Sequence, residues 1–127
     1  MLIAIALSSG FFLLLPVVQG AAASGISPTE AVQCINRDKG VVVDVCSTDE
    51  FAQSHIKGAL NVPLDELEAR LDKAVKNKST PVIMVCAAGA RSKRAQAMAK
   101  KLGYDKVHSL QGGLKAWKEA NLPVVKS

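Results

Sequence analysis

Two apolar runs, VVVDV (41–45) and VIMVC (82–86), carry the strongest constraint on what this chain can fold into. Both are continuous rather than alternating and rich in β-branched residues, the pattern of a strand buried on both faces. Helical segments surround them. Ser27-Pro28-Thr29-Glu30 reads as a helix start, with Ser at the N-cap, Pro at the first helical position and Glu placed to bond back. That helix runs through AVQCINR and stops near Asp38-Lys39-Gly40. A short helix over 48–54 and a brief strand near 59–62 follow. DELEARLDKAV (65–75) spaces Leu67, Leu71 and Val75 four residues apart, an apolar stripe on a charged helix. After VIMVC the segment from Ser92 to Leu102 is helical, with Ala95, Met98, Ala99 and Leu102 as its buried face and Gly103 as a left-handed stop. Lys106 to Leu110 reads as a strand and Leu114 to Ala120 as a last helix. Alternation of this kind implies parallel strands joined by right-handed crossovers. The expected fold is α/β, a small three-layer sandwich whose central, mainly parallel sheet has helices on both faces.

The first 25 of the 127 residues contain no charged side chain. FFLLLPVV (11–18) followed by QGAAASG (19–25) has the order of an export signal, with Ala21-Ala22-Ala23 as the cleavage region. The expectation is a signal peptide over 1–23, or an uncleaved membrane anchor, and one domain over 24–127. The apolar run is broken by Gly10, Pro16 and Gln19 and falls short of about 20 uninterrupted apolar residues, which favours cleavage over anchoring. A periplasmic or otherwise exported location follows. The formal charge of +5 then belongs to the mature domain, which suits small anionic substrates. The lysines are spread along helices, with one Trp and one Tyr in the chain, and this argues against nucleic acid. Three cysteines (34, 46 and 86) leave at least one thiol unpaired within the chain. They form neither a CxxC pair nor a Cys/His set at zinc spacing, so no metal is expected.

The loop CAAGARS (86–92) is where chemistry is expected. Ligands of an open parallel sheet sit beyond the carboxyl ends of its strands, and Cys86 stands at such an end, facing a shallow crevice. Ala87, Ala88, Gly89 and Ala90 have almost no side chain, so successive backbone N–H groups can converge on one point as a nest for negative charge. The helix opening near Ser92 aims its positive end there, and Arg91 adds a permanent cation. All three favour thiolate over thiol. A lone Cys ending an apolar strand is more often a buried hydrophobe; the Arg and the helix that follow reverse that reading.

Three segments, DVCSTDEFAQSHIKGALNVP (44–63), CAAGARS (86–92) and LQGGLKAWKEANLPV (110–124), together resemble the rhodanese family. The resemblance implies a sulfurtransferase: Cys86 as nucleophile and persulfide carrier, loop residues Ala87, Ala88, Gly89, Ala90, Arg91 and Ser92 as the substrate cradle, and no organic cofactor. Its expected partners are a small anionic sulfur donor such as thiosulfate and a cyanide or thiol acceptor, with a membrane involved only if the N-terminal segment stays on. An exported chain of this size looks like the small periplasmic thiosulfate sulfurtransferases. The alternatives are a non-catalytic binding or persulfide-carrier module, or a phosphatase or arsenate reductase of the same fold. Cys86 and Arg91 enclose four residues, where the phosphatase signature encloses five.

Two departures stand out. The family usually has Arg after Asp-Val, where this chain has Cys46, so the partner of a carboxylate such as Glu50 is open. Ser54 stands where Gly is usual. Asp44 and Cys46 are possible supporting residues, Asp44 more as a structural carboxylate bonding loop amides or a helix end, Cys46 more as an inert thiol than as one resolving Cys86. Lys93 and Arg94 read as solvated. His55 and Trp117 read as packing, Cys34 as core, and His108 as core or rim.

Overall fold

The computed structural model describes residues 25–127; the expected leader over 1–23 lies outside the described residues. The elements in chain order are α1 (Pro28–Asp38), β1 (Val41–Asp44), α2 (Thr48–Gln53), β2 (Leu60–Asn61), a 3-10 turn (Leu64–Glu66), α3 (Leu67–Ala74), β3 (Val82–Val85), α4 (Ala90–Lys101), β4 (Val107–Ser109) and α5 (Gly113–Glu119). The strands form one sheet in the order β2-β1-β3-β4. Every pairing is parallel, with Asp44 beside Val85 and Met84 beside Ser109.

Period-two alternation divides the buried side chains between the two faces of the sheet. Val43, Val82 and Met84 pack with Leu67 and Leu71 of α3 and Ala95 and Ala99 of α4. Val42, Ile83 and Val85 pack with Ala31 and Cys34 of α1 and Leu114 and Trp117 of α5. The result is the expected sandwich, α3 and α4 on one face and α1 and α5 on the other. Leu67, Leu71 and Val75 are all buried, as their spacing predicts.

Local chemistry sets the ends. Ser27 and Glu30 form a complete capping box at α1, and Ser47 and Glu50 form a second at α2. Such a cap stabilises a helix by about 1 kcal/mol. Lys39 closes α1 in the left-handed region, one residue before the glycine. Two boundaries differ from the sequence expectation. β2 shrinks to two residues at the sheet edge. α4 begins at Ala90 rather than Ser92, because Gly89 turns at φ +110° and brings Arg91 and Ser92 into the first helical turn. Trp117 packs as expected and donates from Nε1 to Pro123 O at 2.9 Å. His55 is buried, stacks on Phe51 with ring centroids 3.7 Å apart, and donates from Nδ1 to Phe51 O at 2.7 Å.

Candidate active site

The alternation along β3 decides where the thiol goes. Cys86 follows Val82 and Met84 onto the α4 face, so its side chain meets the N-terminus of that helix. α4 has no side-chain cap from its own N-cap residue, Gly89. The sulfur takes that role. Gly89 N–H donates to Cys86 Sγ at 3.0 Å and Ser92 N–H at 3.4 Å. Helix N-termini leave such amides unpaired and carry partial positive charge, so an anionic sulfur satisfies both needs at once.

Two opposing effects set the acidity of Cys86. Burial is the largest and pushes the thiol up; hydrogen bonds from the Ser92 amide and hydroxyl and from the Gly89 and Ala88 amides pull it down. The hydrogen bonds win, and the thiol lies below its ordinary value. The crevice expectation needs correcting. Cys86 is 1% exposed, because the early start of α4 folds the loop over the sulfur. Clefts flank the loop instead: one of about 460 Å³ lined by Val45, Leu64, Arg91 and Arg94, and one of about 400 Å³ lined by Ala88, Gly89, Lys93 and Gln111.

The helix α5 holds the loop from the other side. Leu114 N–H donates to Cys86 O at 2.8 Å and Lys115 N–H to Ala87 O at 3.1 Å. That approach requires Gly113: a Cβ there would stand 2.4 Å from Cys86 O, and its φ is +61°. Gly113 at the start of α5 is thus part of the site.

The remaining candidate residues separate. Arg91 is brought to the site, yet its guanidinium is engaged: Nη1 donates to Glu50 Oε1 at 2.8 Å and Nη2 to Glu50 Oε2 at 3.0 Å. Glu50 is held down at about 2, first by this pair and then by the Ser47 amide, and Arg91 is raised correspondingly. With Cys at 46, the carboxylate left open by the sequence takes the loop arginine. Asp44 is buried, and its Oδ1 accepts from Cys46 N–H at 2.9 Å rather than from an amide of the thiol loop or a helix end. Cys46 shares the α3/α4-side core with Cys86, and burial followed by the Asp44 carboxylate pushes its thiol up to about 12. Such a thiol stays protonated, which supports the inert reading. Lys93 and Arg94 are exposed. Sequence reasoning missed Ser109, whose Oγ lies 2.8 Å from Ser92 Oγ; only the register of β3 with β4 brings the two together.

A thiol capped by helix amides at the carboxyl end of a parallel strand, on a doubly covered sheet, is an arrangement suited to a cysteine nucleophile. The rhodanese-like domain model matches residues 27–120, and the chain belongs to that family. Among relatives, it is 33% identical over 102 residues to the uncharacterized protein YibN of Escherichia coli K12, covering 80% of this chain and 71% of that one. It is 37% identical over 73 residues to the thiosulfate sulfurtransferase PspE of the same organism, covering 58% of this chain and 69% of that one. A solved structure described as a rhodanese with anions from E. coli aligns with a TM-score of 0.62 at 34% identity, over 69% of this chain and 99% of that one.

Proposed function

We propose that this chain is a sulfurtransferase working through a persulfide on Cys86. The Cys86 thiolate attacks the outer sulfur of thiosulfate, and the S–S bond of the donor breaks as sulfite leaves with its electron pair. The outer sulfur stays bonded to Cys86. A cyanide or thiol acceptor then attacks that sulfur, the new S–S bond breaks and Cys86 thiolate is restored. Atoms and electrons balance without an external oxidant, and ping-pong kinetics follow.

The observation that carries this reading is the pair of α4 amides on Cys86 Sγ at 3.0 and 3.4 Å. They stabilise a thiolate before attack and as the leaving group afterwards. No separate general base is needed, since the lowered thiol gives up its proton more readily than a free one. The sulfurtransferase relatives support the same reaction class. The six-residue spacing of Cys86 and Arg91 supports a cradle for a terminal sulfur over one for a tetrahedral phosphate. Thiocyanate release from thiosulfate and cyanide, lost in Cys86→Ser, is the test.

We place the protein in an exported compartment, with residues 1–23 removed. Cell fractionation with the N-terminal mass of the recovered protein tests this: a start at Ser24 supports it, and an intact Met1 in the cytoplasm overturns it.

A further inference from the structure

Beside Ser92 lies a second fully enclosed hydroxyl, Ser109 at the end of β4; the two residues are 0% and 1% exposed. Their Oγ atoms are 2.8 Å apart, and Ser92 Oγ is also 3.0 Å from Gly89 O. Ser109 is fixed from both sides. Its carbonyl accepts from Ile26 N–H at 2.9 Å, the next amide, Leu110 N–H, donates to Met84 O at 2.9 Å, and Gln111 N–H donates to Ile26 O at 2.8 Å. A backbone clamped between a strand and a bridge leaves the hydroxyl little freedom, which is the condition for preorganisation.

Counting protons gives the pair a direction. Ser92 has one hydroxyl proton and two oxygen neighbours, the Gly89 carbonyl and Ser109 Oγ, while its backbone amide donates to the sulfur at 3.4 Å. A carbonyl can only accept, so Ser92 gives its proton to Gly89 O and receives one from Ser109. We propose that Ser109 is a positioning residue for the Cys86 nucleophile: by donating to Ser92 Oγ it pins the first turn of α4 to β4 and holds the Gly89 and Ser92 amides on the sulfur at 3.0 and 3.4 Å. Hydroxyls in series polarise one another, so the second strengthens the first. This inference rests on the reading of Cys86 as the nucleophile, and it concerns acid strength rather than sulfur transfer.

The charged side chain near the thiol is Arg91 of α4, fixed by Glu50 of α2, while the Asp44 carboxylate of β1 engages Cys46. All of them stay unchanged in the test. The full chain is alkylated with iodoacetamide across a pH series, and Cys86 labelling is followed by peptide-resolved mass spectrometry. Ser109→Ala is expected to raise the midpoint by about 0.5–1 pH unit, the scale of one hydrogen bond. Ser92→Ala raises it as well, and adding Ser109→Ala to that background changes nothing further, because the anchor is already lost. Ser109→Cys, which keeps the shape with a weaker donor, gives an intermediate shift and covers the case in which Ser109→Ala does not fold. An unmoved midpoint in the Ser109 variants, or an equal shift with and without the Ser92 hydroxyl, overturns the proposal. Thiosulfate turnover is measured on the same samples: its absence beside a shifted midpoint overturns the sulfurtransferase reading and leaves the positioning role of Ser109 standing.

Discussion

Glu50 and Arg91, 41 residues apart, meet in a two-point ion pair at 2.8 and 3.0 Å that ties α2 to the first turn of α4. The same carboxylate caps the Ser47 amide at 3.0 Å, so one side chain fixes both a helix start and the arginine of the thiol loop. A donor anion therefore finds Arg91 already partnered.

Glu50→Gln keeps an oxygen for the cap and removes the charge that holds Arg91. The freed guanidinium should lower the KM for thiosulfate by about two- to fivefold at low salt, with the gain fading as salt rises. The pH dependence follows from the lowered carboxyl. At about 2 it lies below its unfolded value, so its stability contribution is full above the unfolded pKa and is lost as pH falls towards 2. Both side chains are over a third exposed, which keeps the pair below about 1 kcal/mol. Denaturation curves of wild type and Glu50→Gln should differ slightly at pH 7 and converge near pH 2. A difference that persists at pH 2 removes the ion pair as the cause.

The three thiols should react in a fixed order. Alkylation at pH 7.5, resolved by peptide, is expected to label Cys86 first, since its thiol is lowered while those of Cys34 and Cys46 are raised. Asp44→Asn retains an oxygen for the Cys46 amide and removes the carboxylate that keeps that thiol protonated. Cys46 labelling should then speed up about tenfold for each unit its pKa falls. Labelling of Cys46 as fast as Cys86 in the wild type contradicts the burial argument.

Gly113→Ala tests how far α5 belongs to the site. A Cβ at this position meets Cys86 O at 2.4 Å and Ala87 C at 2.8 Å, on backbone in the left-handed region. The expected loss is about 2–4 kcal/mol of stability, with turnover falling further than the folded fraction because the thiol loop is displaced. Thermal melts read beside activity distinguish the two. A variant as stable and active as wild type contradicts the packing.

Much of this was legible in the sequence, and the reason is locality. The capping box at Ser27, the apolar strands, the stripe of Leu67, Leu71 and Val75, and the small-residue loop after Cys86 are each specified within a few neighbours. The residues that escaped detection act across the fold. Ser109 reaches Ser92 through strand register and Gly113 reaches Cys86 through the docking of α5, while Glu50, whose partner the sequence left open, finds Arg91 beyond β2, α3 and β3. No spacing rule links such pairs. The crevice expected at Cys86 failed for a related reason: one positive φ at Gly89 started α4 two residues early and closed the loop over the sulfur.

The most direct measurement combines thiocyanate formation from thiosulfate and cyanide with intact mass after thiosulfate alone, on wild type, Cys86→Ser and Cys46→Ser. Turnover in wild type and Cys46→Ser, none in Cys86→Ser, and an added mass of about 32 Da wherever Cys86 is present is the expected result. A wild-type protein that neither turns over nor gains mass, or a Cys86→Ser variant that does both, would overturn the assignment of Cys86 as the persulfide carrier.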